Sequence, residues 1–317
     1  MLKPGAQLEL LCRNAQHSLI LVAPFMKVGV IKRLLGYVAT SVEVKCITRW
    51  RPDEILAGVS DLEVWDFLQS QPNTELWLRS DLHAKYYRAD EQCLIGSANL
   101  TQAALGWAGN SNLEILISNL PTHPDLMGFE VELLRGSIQV DASIYQHIKQ
   151  AVEQLKQQNP QLVKSAVFEL DLEFAASSLE PISMECWMPT LRNPADLYIA
   201  YLGRIGELTI ASREAALLDL QSLQIPLGLN KAVFEEYVGI LLLQKPIIKK
   251  IDAFVTTPQR FGAVSQFLAQ QPCAYTNDFN TDRAWQTIMR WLTYFLSKRY
   301  LIKTYRHSEV FQRQLEQ

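Results

Sequence analysis

Between Leu82 and Ile117 the chain reads LHAKYYRADEQCLIGSANLTQAALGWAGNSNLEILI, and no other stretch constrains the fold as tightly. His83 and Lys85 stand two apart in an extended, aromatic-rich run, and a strand's side-chain period of two puts both on one face. A polar turn at Asp90-Glu91-Gln92 leads into the apolar strand Cys93-Leu94-Ile95, which runs into Gly96-Ser97-Ala98-Asn99. Thr101 suits the N-cap of a helix starting at Gln102, and a further strand carries Glu114 between Leu113 and Ile115.

These residue types can act together on phosphorus. A neutral imidazole is a competent nucleophile when a carboxylate on its other nitrogen fixes the tautomer, a role open to Glu114. A lysine, a hydroxyl and a carboxamide can bind the non-bridging oxygens and stabilise charge developing in the transition state. Such a set would cleave a phosphodiester through a phosphohistidine intermediate, with neither metal ion nor cofactor. The stretch resembles the HxK-x4-D…GSxN signature of the phospholipase D superfamily. His83, Lys85, Asp90, Gly96, Ser97 and Asn99 match it in residue type, and Glu114 falls where that family often places the carboxylate that orients the histidine. Five residues separate Asp90 from Gly96 where the usual pattern has six. That deletion falls in the turn after Asp90, so the catalytic spacing survives as long as the two strands keep register.

A chain of 317 residues is long for one core, which predicts two domains, and its 48% hydrophobic and 20% charged composition is that of an ordinary globular protein. Cys12, Cys46, Cys93, Cys186 and Cys273 lie far apart with no CxxC pair, and read as buried thiols in a reducing compartment. The first residues lack the pattern of a signal peptide, and the apolar runs at Leu19–Ala23 and Ile240–Leu243 are too short to span a bilayer. The expectation is a cytoplasmic protein without membrane contact. Net charge is −3, unevenly spread: residues 245–317 carry 11 basic and 5 acidic side chains, whereas residues 125–244 carry 8 and 16. A basic end of +6 suits either a polyanionic partner or a solvated face.

In chain order, His17–Ala23 reads as a central strand, Val28–Val38 as helix and Val42–Ile47 as strand. The last ends in Thr48-Arg49-Trp50-Arg51. Because ligands of open α/β sheets bind at such strand ends, Arg49 and Arg51 are candidates for holding substrate phosphates, with exposed loop arginines as the bland alternative. Leu62–Leu68 reads as helix and Glu75–Arg79 as strand, followed by the hairpin, a helix and a final strand. That alternation predicts an α/β/α sandwich, the fold which the resemblance also implies. A helical region follows Pro121, ending in a helix over Ala142–Gln158, and the polar stretch up to Pro160 sets the domain boundary. The catalytic domain is then residues 1–158. Residues 159–317 form a mainly helical α+β domain, open to nucleic-acid binding. It has a candidate strand at Val167–Phe174 and helical patterns at Ala195–Leu202, Lys231–Gln244, Pro258–Gln270 and Arg283–Leu296. The basic, aromatic run Lys298–His307 after these helices suits a winged-helix-like module.

Four patterns mislead. His147-Ile148-Lys149 repeats HxK, but in a helical pattern that sends the two side chains about 200° apart. Pro52-Asp53-Glu54 opens like a metal-dependent nuclease motif with no (D/E)-x-K after it. Gly203-Arg204-Ile205-Gly206 reads as a turn, and Trp285 and Trp291 as core.

One such motif supplies one histidine where the reaction wants two: one to attack phosphorus, one to protonate the leaving oxygen and then activate water. Single-motif relatives pair two subunits, so the resemblance implies a homodimer with His83 of each copy at one composite site. Lys85, Ser97 and Asn99 would surround the phosphate, while Asp90 holds local structure. The expected activity is DNA cleavage, of the kind found in restriction-type endonucleases of phage defence. The alternatives are a phospholipase or phosphatidyltransferase, or a catalytically silent DNA-binding subunit working with a partner ATPase or methyltransferase.

Overall fold

The computed structural model describes residues 2–158, 184–272, 280–305 and 308–314. They belong to two compact units, Met1–Ser177 and Ser178–Gln317. The candidate strand at 167–174 lies outside the described residues.

The first unit is mixed α/β. In order it comprises α1 (Pro4–Asn14), β1 (Ser18–Val22), α2 (Val28–Leu35), β2 (Glu43–Thr48), α3 (Pro52–Leu56), α4 (Glu63–Gln69) and β3 (Thr74–Leu78). The hairpin β4 (Tyr86–Ala89) and β5 (Gln92–Gly96) follows, then β6 (Leu116–Asn119), α5 (Pro124–Arg135), β7 (Ile138–Gln139) and α6 (Ala142–Gln158). These strands form one seven-stranded sheet ordered β6-β5-β4-β1-β2-β3-β7. β1, β2 and β3 run parallel, and the other pairings are antiparallel. The apolar run of β1 sits at the centre, with Leu19, Leu21 and Val22 fully buried. Ile20, Val22, Tyr86 and Cys93 pack on one face with Leu133 of α5, and Leu126 and Phe129 lie against them. On the other face, Leu21 is level with Cys46 of β2, whose thiol feels Cys12 of α1.

Several expectations need correction. No helix starts at Gln102. Thr101 Oγ1 does accept from the Ala104 N–H at 3.3 Å, but Gly106 at φ +75° turns the chain away after a single turn. Glu114 precedes β6 rather than lying inside a strand, because pairing with β5 begins at Leu116 opposite Gly96. The strand β7, the helix α1 and the short helix α3 were not anticipated. Cys12, Cys46 and Cys93 are free, buried thiols as read, but Cys186 is disulfide-bonded. Sequence spacing carries no signal for that bond, which depends on how closely folding brings two Cα atoms. No helix among the described residues is long and apolar enough to cross a membrane.

The second unit contains α7 (Asp196–Tyr201), α8 (Ile210–Leu223), α9 (Lys231–Leu243), α10 (Pro246–Phe254), β8 (Gln259–Arg260), α11 (Phe261–Ala269), α12 (Thr281–Phe295), β9 (Tyr300–Tyr305) and β10 (Ser308–Arg313). The strands form an antiparallel sheet ordered β8-β10-β9. Side-chain caps start three of the helices: Thr209 on α8, Asn230 on α9 and Asn280 on α12. Trp285 and Trp291 are core, as read; Trp285 meets Phe311 edge to face at 5.0 Å. Asp252 of α10 ties the hairpin down, accepting from Arg299, Tyr300 and Arg313 at 2.6–2.9 Å.

Candidate active site

β4 runs antiparallel to β1, so its start lies level with the carboxyl ends of β1, β2 and β3. β5 returns antiparallel and ends at the same edge. His83 and Lys85, just ahead of β4, thereby meet Gly96-Ser97-Ala98-Asn99, just at and after the end of β5. The Gly96 N–H donates to the Lys85 carbonyl at 3.3 Å and closes this junction. Strand ends of this kind are where open α/β sheets take ligands.

The short turn after β4 leaves the strand pairing intact. Asp90 and Glu91 alone form the turn, Ala89 pairs Gln92, and Tyr86 pairs Ile95 in unbroken register. Asp90 adopts φ +48°, a left-handed conformation that Asp tolerates better than most residues. Its carboxylate accepts the backbone N–H groups of Gln16, His17 and Ser18 at 2.7–3.0 Å, tying the hairpin to the start of β1. Burial pushes its pKa up, but these donors outweigh that and hold it below the ordinary carboxylate range.

Gly96 is required by a close approach. A Cβ there would stand 1.9 Å from the Ile115 carbonyl oxygen, which accepts the Ser97 N–H at 3.0 Å. Ser97 Oγ accepts the Ile115 N–H at 3.1 Å and donates its proton to Glu114 Oε2. Glu114 Oε1 accepts from Asn112 at 3.1 Å. Glu114 is therefore brought to Ser97 and not to His83, and the single O–H of Ser97 is committed within the protein. His83 is exposed, and its imidazole has no hydrogen-bond partner among the described residues. Lys85 Nζ donates to the His83 carbonyl at 2.9 Å. Asn99 is half-buried, and its Oδ1 is a buried acceptor that no donor among the described residues meets.

Arg49 and Arg51 are both paired with carboxylates. Arg49 is half-buried, paired with Glu54 and reaching the Leu82 carbonyl through Nη1 at 3.1 Å. Burial raises the Glu54 pKa despite that partner. Arg51 is buried and pairs with Asp53 at 3.6 Å. Asp53 and Glu54, the false nuclease motif, thus serve as counter-ions. His147 lies on α6, with Nδ1 2.7 Å from the Ser143 carbonyl, as the helical reading required.

Two positioning residues had no signal in the sequence. Arg79 follows β3 and is buried; its N–H donates to the Thr48 carbonyl at 2.9 Å, and its guanidinium binds Asp81, Glu132 and the backbone carbonyls ending α5. Gly136 leaves room for it, since a Cβ would come within 2.1 Å of Nη1. Tyr87, fully buried on β4, donates to the Ala98 carbonyl. The run from Arg79 to Lys85 is thus pinned at Arg79, Leu82 and Lys85, leaving the imidazole of His83 standing out from a rigid frame. Among the described residues no three His, Cys, Asp or Glu side chains are grouped so as to hold a metal ion.

No model of a known protein family matches the chain, and no curated protein matches it. Solved structures resemble it loosely. NucT from Helicobacter pylori aligns at 16% identity and a TM-score of 0.34, over 43% of this chain and 89% of its own. TrmBL2, described as an archaeal chromatin protein with a novel mode of DNA binding, aligns at 14% identity and a TM-score of 0.28, over 43% of this chain and 49% of its own. With likenesses this loose, the functional case rests on the chain's own residues.

Proposed function

We propose that the chain is a metal-independent phosphodiesterase that cleaves nucleic acid, specifically a DNA endonuclease, through a phosphohistidine on His83. The carrying observation is the convergence of His83 and Lys85 with Gly96-Ser97-Asn99 at one sheet edge, locked by the Gly96 to Lys85 hydrogen bond. In the first step an imidazole nitrogen attacks phosphorus, forming the N–P bond as the P–O ester bond breaks. The leaving oxygen takes a proton from a second imidazolium. That imidazole then removes a proton from water, the hydroxide attacks phosphorus, and the N–P bond breaks to restore His83. Lys85 and the Asn99 carboxamide offset the charge on the non-bridging oxygens. Ser97 and Glu114 act together, holding the end of β5 in place.

The second imidazole is that of His83 in a second copy. Three observations support a self-associating face beside the site: β6 is an edge strand, Leu113 is fully exposed, and Ile115 and Ile117 are 48% and 55% exposed. The basic +6 end of the chain supports DNA as the substrate, and restriction or phage defence is the setting which the phospholipase D resemblance implies.

The test uses labelled DNA, RNA and phosphatidylcholine, each in EDTA, with His83→Ala alongside. DNA cleavage that persists in EDTA and disappears in the variant is the expected result. Turnover of the lipid instead would mark a phospholipase or phosphatidyltransferase. Binding without cleavage would mark a silent subunit awaiting a partner such as an ATPase or methyltransferase. Cleavage by a preparation that stays monomeric would remove the composite site.

A further inference from the structure

The second unit carries an inference that goes beyond this reading and stands without it. Its last elements run helix, strand, helix, helix, strand, strand: α10, β8, α11, α12, β9, β10. The first strand pairs with the last, in the order β8-β10-β9. That connectivity is the winged helix, in which a helix-turn-helix is followed by a two-stranded wing. The elements are held as a unit. Asp252 of α10 binds Arg299, Tyr300 and Arg313 of the wing, Ser265 of α11 donates to Asp282 of α12, and Trp285 of α12 packs on Phe311.

The third helix of such a module is placed to read a groove, and here it has the chemistry to do so. α12 buries Trp285, Thr287, Ile288, Met289, Trp291, Leu292 and Phe295 and exposes Arg283 and Arg290, with Gln286 half-buried on the same side. At about 100° per residue these three lie within one arc of about 60°, opposite most of the buried residues and bounded on one flank by Thr287 and Trp291. Arg290 makes one long contact of 3.5 Å, to the Arg192 carbonyl, which leaves most of its donors uncommitted there. Lys298 and Lys303, flanking the start of β9, and Arg260 of β8 are also exposed. The acidic side chains near them are Asp282, turned to Ser265, Glu235, which accepts from Tyr294 of α12, Glu236, close enough to feel Lys298, and the exposed Glu309.

We propose that this unit binds double-stranded DNA, with α12 in the major groove and the wing on the flanking phosphates. Arginine matches the O6/N7 edge of guanine and glutamine the N6/N7 edge of adenine, so Arg283, Gln286 and Arg290 are the base readers. Lys298 and Lys303 meet phosphate. Duplex RNA is excluded, because its deep, narrow major groove does not admit a helix.

Binding is measured with the full chain carrying His83→Ala, so cleavage plays no part, against short random-sequence duplexes of DNA and RNA over a range of salt concentrations. DNA binding should fall steeply with salt, and Arg283→Ala with Arg290→Ala should weaken it about tenfold or more at an unchanged melting temperature. Lys303→Ala should lower the log–log salt slope by about 0.9, the loss of one phosphate contact. Equal affinity for RNA duplex, or no loss of affinity in either the arginine-to-alanine pair or Arg283→Glu, overturns the assignment. So does an absence of DNA binding, including the case where the same face binds a second copy of the chain.

Discussion

The Arg49 guanidinium donates through Nη1 to the Leu82 carbonyl at 3.1 Å, one residue ahead of His83, while Glu54 holds its other nitrogens. The arginine is a strut between the end of β2 and the backbone carrying His83. Lysine keeps the charge but cannot span both partners. Arg49→Lys should therefore lower kcat about tenfold with KM little changed, because the imidazole is misplaced while substrate contacts survive. A raised KM with kcat intact would instead make Arg49 a substrate ligand.

Ser97 and Glu114 share one hydrogen bond and should behave as one element. In a double-mutant cycle with Ser97→Ala and Glu114→Gln, the double variant should lose little more activity than either single one. The coupling should be about 1.5–3 kcal/mol, the range for a hydrogen bond to a charged group. Additive losses would mean that Glu114 acts elsewhere, on His83 itself.

The pKa of Asp90 is depressed on folding, and that fixes the sign of its effect. Its stabilisation is complete above the usual carboxylate range and is lost as pH falls through the lowered folded value. Asp90→Asn keeps one acceptor for three backbone donors. It should cost about 1–2 kcal/mol at pH 7, at the low end because the site is solvent-exposed. Urea denaturation should show this difference shrinking below pH 4, and a pH-independent difference would refute the linkage.

Asp252 and Arg299 form a buried pair, with side chains 4% and 3% exposed. Removing the carboxylate strands a buried guanidinium, so Asp252→Ala should destabilise by about 3–5 kcal/mol in thermal or chemical denaturation. A cost below about 1 kcal/mol would show the cluster to be solvated. Duplex binding should be lost with it, since the pair fastens the wing to α10.

Local periodicity made much of the fold legible. The apolar run of β1, the hairpin around Asp90, and α6 over Ala142–Gln158 were readable because a few neighbouring residues decide them. The typed positions from His83 to Asn99 likewise marked the candidate site, since their spacing reflects strand and turn geometry. The helix expected at Gln102 failed because Gly106 redirects the chain, and Glu114 fell outside its strand because pairing with β5, not propensity, decides where β6 begins.

By itself, then, the sequence determined which residues could do the chemistry and the short segments that carry them, because both depend on neighbours in the chain. Only the tertiary structure decided what those residues touch. It committed Arg49 to Leu82, Glu114 to Ser97 and Arg79 to the end of α5, and it built a three-stranded sheet from β8, β9 and β10. Those partners lie far apart along the chain and meet through sheet register and buried hydrogen bonding, which no local pattern encodes.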